Sequence, residues 1–135
     1  MTIAPATELG INLTLFAASA SDSAAQIVDH TVGDYTKSDE LLAFAKKCDV
    51  VTFEHELVPQ HVIRALESAG VKVYPRADSF IYSQDKISMR KKMDELGIKN
   101  PSWEIFDSGV PRLSFPLIAK SASGCLLYTS DAADD

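Results

Sequence analysis

One stretch narrows the possible folds more than any other: VVTFEHELVPQHVIRALESAGVKVY, residues 50–74. It opens with a short β-branched and aromatic run, Val50 to Phe53. Val62, Ala65, Leu66 and Ala69 then recur at helical spacing, and Gly70 stops the pattern. Pro59 sits where a first helical residue tolerates a missing N–H. Val71 to Tyr74 is a second β-branched run, halted by Pro75. Strand, helix and strand in direct succession make a βαβ unit. Its strands run parallel, because the helical crossover carries the chain back before the second strand begins.

The same alternation extends both ways. Ile11 to Ala17 is a short apolar run that reads as a buried strand. Before it, Ile3, Ala6 and Leu9 fall at helical spacing and Gly10 closes the turn. A helix that starts at residue 1 without a cap and feeds a strand reads as the second half of a βαβ unit whose first strand is absent. Thr36 to Asp39 offers a helix cap, and Leu41, Phe44, Ala45 and Cys48 follow on one face. A further helix is predicted from about Asp85 to Leu96, with Met89, Met93 and Leu96 inward and Gly97 and Pro101 at its end. Strand-like runs follow at Trp103 to Phe106 and Phe115 to Lys120. The order predicts an α/β fold with a parallel sheet.

Composition excludes several function classes. The chain has 135 residues, 46% hydrophobic and 24% charged, which is ordinary globular usage. Its net charge of −6 argues against a nucleic-acid binder held by phosphate neutralisation. No apolar stretch approaches the roughly 20 residues that cross a membrane. The start, MTIAPATELG, lacks the basic and apolar regions of a signal peptide. Two cysteines, Cys48 and Cys125, form neither a disulfide framework nor a metal spacing. The expectation is a cytoplasmic protein with free thiols, no nucleic-acid partner and no membrane partner.

Ligands of parallel sheets bind beyond the carboxyl ends of the strands. Glu54-His55-Glu56 and Pro75-Arg76 follow the two βαβ strands and so lie on that edge. Glu54 and Glu56 at i, i+2 would aim to one side of a continuing strand, which suits a ribose or an amine. The same acids equally suit a solvated loop before a helix N-terminus. Lys86 lies in the first turn of its helix, where a cation opposes the helix dipole and an anionic partner would relieve it. Lys120 ends FPLIAK and precedes Ser-Ala-Ser-Gly, a point charge beside a backbone that can approach phosphate closely. The Gly-x-x-x-x-Gly-Lys-Ser/Thr order of a P-loop is missing. His30 and His61 have no spaced partners and read as surface or packing residues.

Taken together, GDYTKSDELLAFAKKCDVVTFEHELVP, ALESAGVKVYP and SQDKISMRKKMDELGI resemble the N-terminal region of the 5-(carboxyamino)imidazole ribonucleotide synthases, ATP-grasp enzymes of purine biosynthesis. The resemblance covers residues 1–124 in order. Its most specific pieces are VGDY at 32–35, VVTFEHE at 50–56 and QDK at 84–86. It implies a Rossmann-like pre-ATP-grasp domain over 1–76 that lacks its first strand and glycine-rich turn, and the start of an ATP-grasp domain over 77–124. Residues 125–135 depart from the family, where a glycine-rich loop closes over the ATP phosphates. CLLYTSDAADD instead reads as an in-frame translation of a transposase adapter used in sequencing libraries, so a non-native tail is expected there.

The resemblance implies a carbon–nitrogen ligase that uses ATP, magnesium and bicarbonate to carboxylate the amino group of 5-aminoimidazole ribonucleotide, and a homodimeric parent enzyme. Lys86 and Lys120 match the family's ATP-binding basic residues, and Glu54 lies in the segment facing the imidazole ribonucleotide. The family's magnesium, bicarbonate and main catalytic residues lie beyond residue 124, so this chain alone is expected to be inactive and marginally folded. Two other readings stay open. One is a different ATP-grasp ligase, such as a formate-dependent glycinamide ribonucleotide transformylase or a biotin carboxylase. The other is a non-enzymatic α/β binding domain, since a fold does not fix a function.

Overall fold

The structure is a computed structural model and describes residues 2–123. The expected tail, 125–135, lies outside the described residues, and Cys125 with it. The described chain divides into two compact units, residues 2–54 with 58–76 and residues 55–57 with 77–123.

The first unit holds helix α1 (Ile3–Glu8), strands β1 (Leu15–Ala17) and β2 (His30–Val32), and helices α2 (Ser38–Ala45) and α3 (Gln60–Ser68). β1 and β2 pair in parallel, with Leu15, Phe16 and Ala17 opposite His30, Thr31 and Val32. A second parallel pairing joins Val51 to Val73. There the Val51 N–H donates to the Lys72 carbonyl and the Tyr74 N–H donates to the Val51 carbonyl, both at 2.9 Å. The parallel α/β arrangement expected from the βαβ pattern is therefore present.

Its core is built by α2 and α3, which pack on one another. Val62, Ile63 and Leu66 of α3 are fully buried. Leu41, Phe44 and Ala45 face them from α2, and Val51, Val58 and Val73 add their side chains to the buried set. Phe16 of β1 meets Phe44 of α2 with ring centroids 5.4 Å apart and planes tilted by 59°. A tilted pair directs the positive edge of one ring towards the negative face of the other.

The second unit holds helices α4 (Ala77–Gln84) and α5 (Lys86–Glu95), packed against each other. α4 was not legible in the sequence. Only Ala77 and Phe80 are buried in it, too few to write a stripe. β2 was missed for a similar reason, since a three-residue strand with alternating partial exposure carries no period. The runs 103–106 and 115–120 are not strands. A strand needs a neighbour for its backbone groups, and this segment uses a side chain instead. Glu104 Oε1 accepts from the Arg112 N–H at 2.7 Å and from the Leu113 N–H at 3.2 Å. Of the inward face expected for 85–96, Met89 and Met93 are half-buried, and Leu96 is corrected: it lies past the end of α5 and is 61% exposed. Pro59 is the extended N-cap of α3 rather than its first helical residue.

Candidate functional site

Among the segments that leave the carboxyl ends of the parallel pairings in the first unit are Gly33-Asp34-Tyr35, Thr52-Phe53-Glu54 and Tyr74-Pro75-Arg76. The first is held tightly. The Gly33 N–H donates to the Ala17 carbonyl at 3.0 Å and continues the ladder. A Cβ on Gly33 would stand 2.4 Å from Phe16 Cζ and 2.9 Å from Glu40 Oε2, so this turn has no room for a side chain. The next residue's N–H donates to Glu40 Oε2 at 2.9 Å. Asp34 Oδ1 accepts from the Thr36 N–H at 2.9 Å and from the Thr36 hydroxyl at 2.6 Å. Lys37 Nζ pairs with Glu40 Oε1 at 3.0 Å.

These contacts lower both acids' pKa values. The Thr36 hydroxyl, then the Thr36 amide, hold the Asp34 carboxyl below its ordinary 3.8. The Asp34 amide, then Lys37, hold Glu40 below 4.5. The helix start expected at Thr36 to Asp39 is thus organised by Glu40. The N-cap residue, Lys37, makes no side-chain cap bond.

Glu54 is exposed, and its Oε2 accepts from Thr2 Oγ1 at 3.4 Å. Glu56 is half-buried and belongs to the second unit, where its carbonyl accepts from Gln84 Nε2 at 2.8 Å. The chain turns between them, and His55 Nδ1 accepts from the Leu57 N–H at 3.2 Å. The alternation that would place both carboxylates on one side holds only in an extended strand, and the strand stops short of it. Arg76 is engaged with Glu67 across 3.3 Å at the surface. His30 and His61 are exposed. Cys48 is a half-buried free thiol whose pKa burial pushes up, which disfavours the reactive thiolate.

The two lysines fall in the second unit. Lys86 is the half-buried first residue of α5, and Lys120 is exposed. The Lys86 N–H donates to the Ala122 carbonyl at 2.8 Å, and Asp85 forms an antiparallel bridge with Ser123. Ser121 Oγ donates to the Ser123 carbonyl at 2.7 Å within that loop. The start of α5 and the Ser-Ala-Ser loop that follows Lys120 are therefore joined, although 115–120 is not a strand. The Asp85 carboxylate accepts from the Ser88 N–H, and the Ser88 side chain first, then this amide, lower its pKa. Asp85 was not singled out by sequence, although an aspartate ahead of an amphipathic run is a recognisable N-cap signal.

Among the described residues, no group of three or more His, Cys, Asp or Glu side chains is placed to hold a metal ion. No helix among them is long and apolar enough to cross a membrane.

Residues 1–84 match the family described as the ribonucleotide synthetase preATP-grasp domain. The chain belongs to that family. An N5-carboxyaminoimidazole ribonucleotide synthase of Corynebacterium ammoniagenes is 39% identical over 111 residues, covering 82% of this chain and 27% of that protein. The enzyme of the same name from Mycobacterium bovis is 33% identical over 131 residues, covering 92% of this chain and 30% of that protein. The crystal structure of the synthetase from Thermus thermophilus superposes with a TM-score of 0.62 at 29% identity, over 68% of this chain and 25% of that one. The Thermotoga maritima synthetase superposes at 0.67 with 20% identity, over 76% and 29%, and at that identity it speaks for the fold alone. The chain thus spans about a quarter to a third of the length of these preATP-grasp relatives.

Proposed function

We propose that this chain is the N-terminal part of an ATP- and bicarbonate-dependent ligase that carboxylates the amino group of 5-aminoimidazole ribonucleotide. The observation that carries the reading is the 39% identity, over 82% of the chain, to a protein named N5-carboxyaminoimidazole ribonucleotide synthase. The parallel α/β unit with Glu54 on its carboxyl edge supports it, because that edge is where such sheets hold small ligands.

Bicarbonate is a poor electrophile. Transfer of the γ-phosphoryl group to a bicarbonate oxygen gives carboxyphosphate and ADP. The amine nitrogen then bonds to the carboxyl carbon, phosphate departs with the C–O bonding pair, and the nitrogen loses a proton. In this reading residues 1–76 shape the nucleotide substrate's edge, with Glu54 facing it. Residues 77–124 begin the ATP-binding part, where Lys86 and Lys120 hold phosphate oxygens by charge-assisted hydrogen bonds. Magnesium accompanies ATP in such chemistry and offsets phosphate charge. The described residues supply no cluster of three or more His, Cys, Asp or Glu side chains to hold it.

The test uses the full-length protein that carries this sequence. Phosphate release is expected only when ATP, bicarbonate and 5-aminoimidazole ribonucleotide are all present. Release that follows glycinamide ribonucleotide with formate, or biotin, would instead assign the chain to another ligase. For the lysines, Lys120→Ala is expected to weaken ATP binding by about 1.5–3 kcal/mol, and Lys120→Arg to restore it only in part, because a planar fork replaces a compact ammonium. An ATP dissociation constant within about twofold of wild type for Lys120→Ala would remove this lysine from the site, since one charged hydrogen bond is worth more than that.

A further inference from the structure

We infer that Asp85 is a positioning residue for the nucleotide phosphates, acting through Lys86 and the 121–123 loop. The inference rests on the reading above that Lys86 and Lys120 hold those phosphates. Asp85 stands at the junction of α4 and α5, and its amide and its carboxylate tie down different helices. Its N–H donates to the Ile81 carbonyl at 2.9 Å and closes α4. Its carboxylate accepts from the Ser88 N–H and opens α5. Its backbone is bridged to Ser123, and the adjacent Lys86 N–H reaches the Ala122 carbonyl at 2.8 Å.

The physical consequence follows from helix ends. The first N–H groups of a helix have no partner within it and fray unless something outside accepts them. Here two of them are satisfied from outside, Ser88 by the Asp85 side chain and Lys86 by the loop carbonyl. Fixing the first turn at Ser88 also fixes the direction of the Lys86 N–H, and so the place of the loop two residues beyond Lys120. The Ser121 hydroxyl on the Ser123 carbonyl stiffens that loop from its other side. The carboxylate also sits beside a first-turn lysine that the helix dipole disfavours, and so offsets it. Asp85 touches no phosphate in this arrangement. It sets where two cations stand before the nucleotide arrives, which lowers the ordering required on binding.

Three variants of the full-length protein test this, with steady-state kinetics in ATP. Asp85→Ala is expected to raise the KM for ATP roughly fivefold, the factor that a typical lost N-cap produces, with kcat unchanged. Asp85→Asn is expected to restore the wild-type KM, because asparagine caps as well as aspartate. Lys86→Ala isolates the underlying assignment: an unchanged KM there removes Lys86 from the phosphate site and ends the phosphate reading itself. A raised KM for Lys86→Ala beside an unchanged KM for Asp85→Ala would overturn the positioning role alone. So would a fall in kcat and melting temperature at constant KM, the signature of a structural residue only. If Asp85→Ala does not fold, Asp85→Gly serves, since glycine is a tolerated N-cap without a carboxylate. In that variant the Lys86 amide is expected to exchange faster than in wild type, and an equally slow exchange would overturn the inference.

Discussion

At the residue scale, Gly33 is the glycine with the least room for a side chain among the described residues. Its missing side chain is required by the ring of Phe16, which is itself held against Phe44. Gly33→Ala is expected to destabilise the first unit by about 1–3 kcal/mol, the usual range for forced overpacking. Urea unfolding measures it, and an unchanged midpoint would show that Phe16 swings aside freely. The neighbouring acids give a pH dependence. Asp34 and Glu40 have folded pKa values below their ordinary 3.8 and 4.5. A depressed carboxylate stabilises the fold fully above its unfolded pKa and loses that contribution as pH falls through the folded value. Stability is therefore expected to hold above about pH 5 and to decline below about pH 4. Glu40→Gln should show a smaller drop in urea midpoint between about pH 6 and about pH 3.5 than wild type, since it removes one of the two titrating acids. Equal drops would mean that this cluster does not drive the acid transition. VGDY was visible as a motif, but the reason for its glycine was not, because the ring that excludes a Cβ comes from a different strand.

At the element scale, three helices end in the same way. After α1, α3 and α5 the chain reads Leu-Gly-Ile, Ala-Gly-Val and Leu-Gly-Ile, at residues 9–11, 69–71 and 96–98. In each, the glycine N–H and the next N–H reach back to the last turn: Gly70 to Glu67 at 3.0 Å and Val71 to Leu66 at 3.1 Å, for example. Gly70 has φ +81°, a left-handed conformation that L side chains disfavour, with open space around it. Gly70→Ala is expected to cost about 1–2 kcal/mol through backbone strain alone. A loss beyond that range would point to a contact the open space does not contain. α3 itself is held by its buried face. Leu66→Ala is expected to cost about 2–5 kcal/mol through lost burial and a residual cavity, read from the same urea titration. These closures were legible in sequence because a Schellman end needs only local residues. The stripe expected on α3 holds at Val62 and Leu66 and fails at its end: Ala69 is exposed, and Ile63, outside that stripe, is fully buried.

For the whole molecule, the two units are expected to differ in amide protection. Amides of Val51, Ile63, Leu66 and Tyr74 are hydrogen-bonded in or beside the buried core and should exchange slowly. Residues 105–118 should exchange faster, because Ile105, Phe106, Val110, Phe115 and Ile118 are exposed and Glu104 is the acceptor for Arg112 and Leu113. Uniform protection across residues 51–118 would contradict that division. The sequence by itself determined the alternation of helices and β-branched runs, the parallel sense of the pairings, the glycine-closed helix ends and the family. These rest on local periodicity, on chain handedness and on residues read in order. Only the tertiary structure decided how long each strand is, since a strand extends only as far as a neighbour accepts its backbone groups. The same physics left Trp103–Phe106 and Phe115–Lys120 as irregular chain despite their strand-like composition. It also ended the extended run before Glu56, and joined Lys86 to the loop after Lys120 through one backbone hydrogen bond that no spacing in the sequence records.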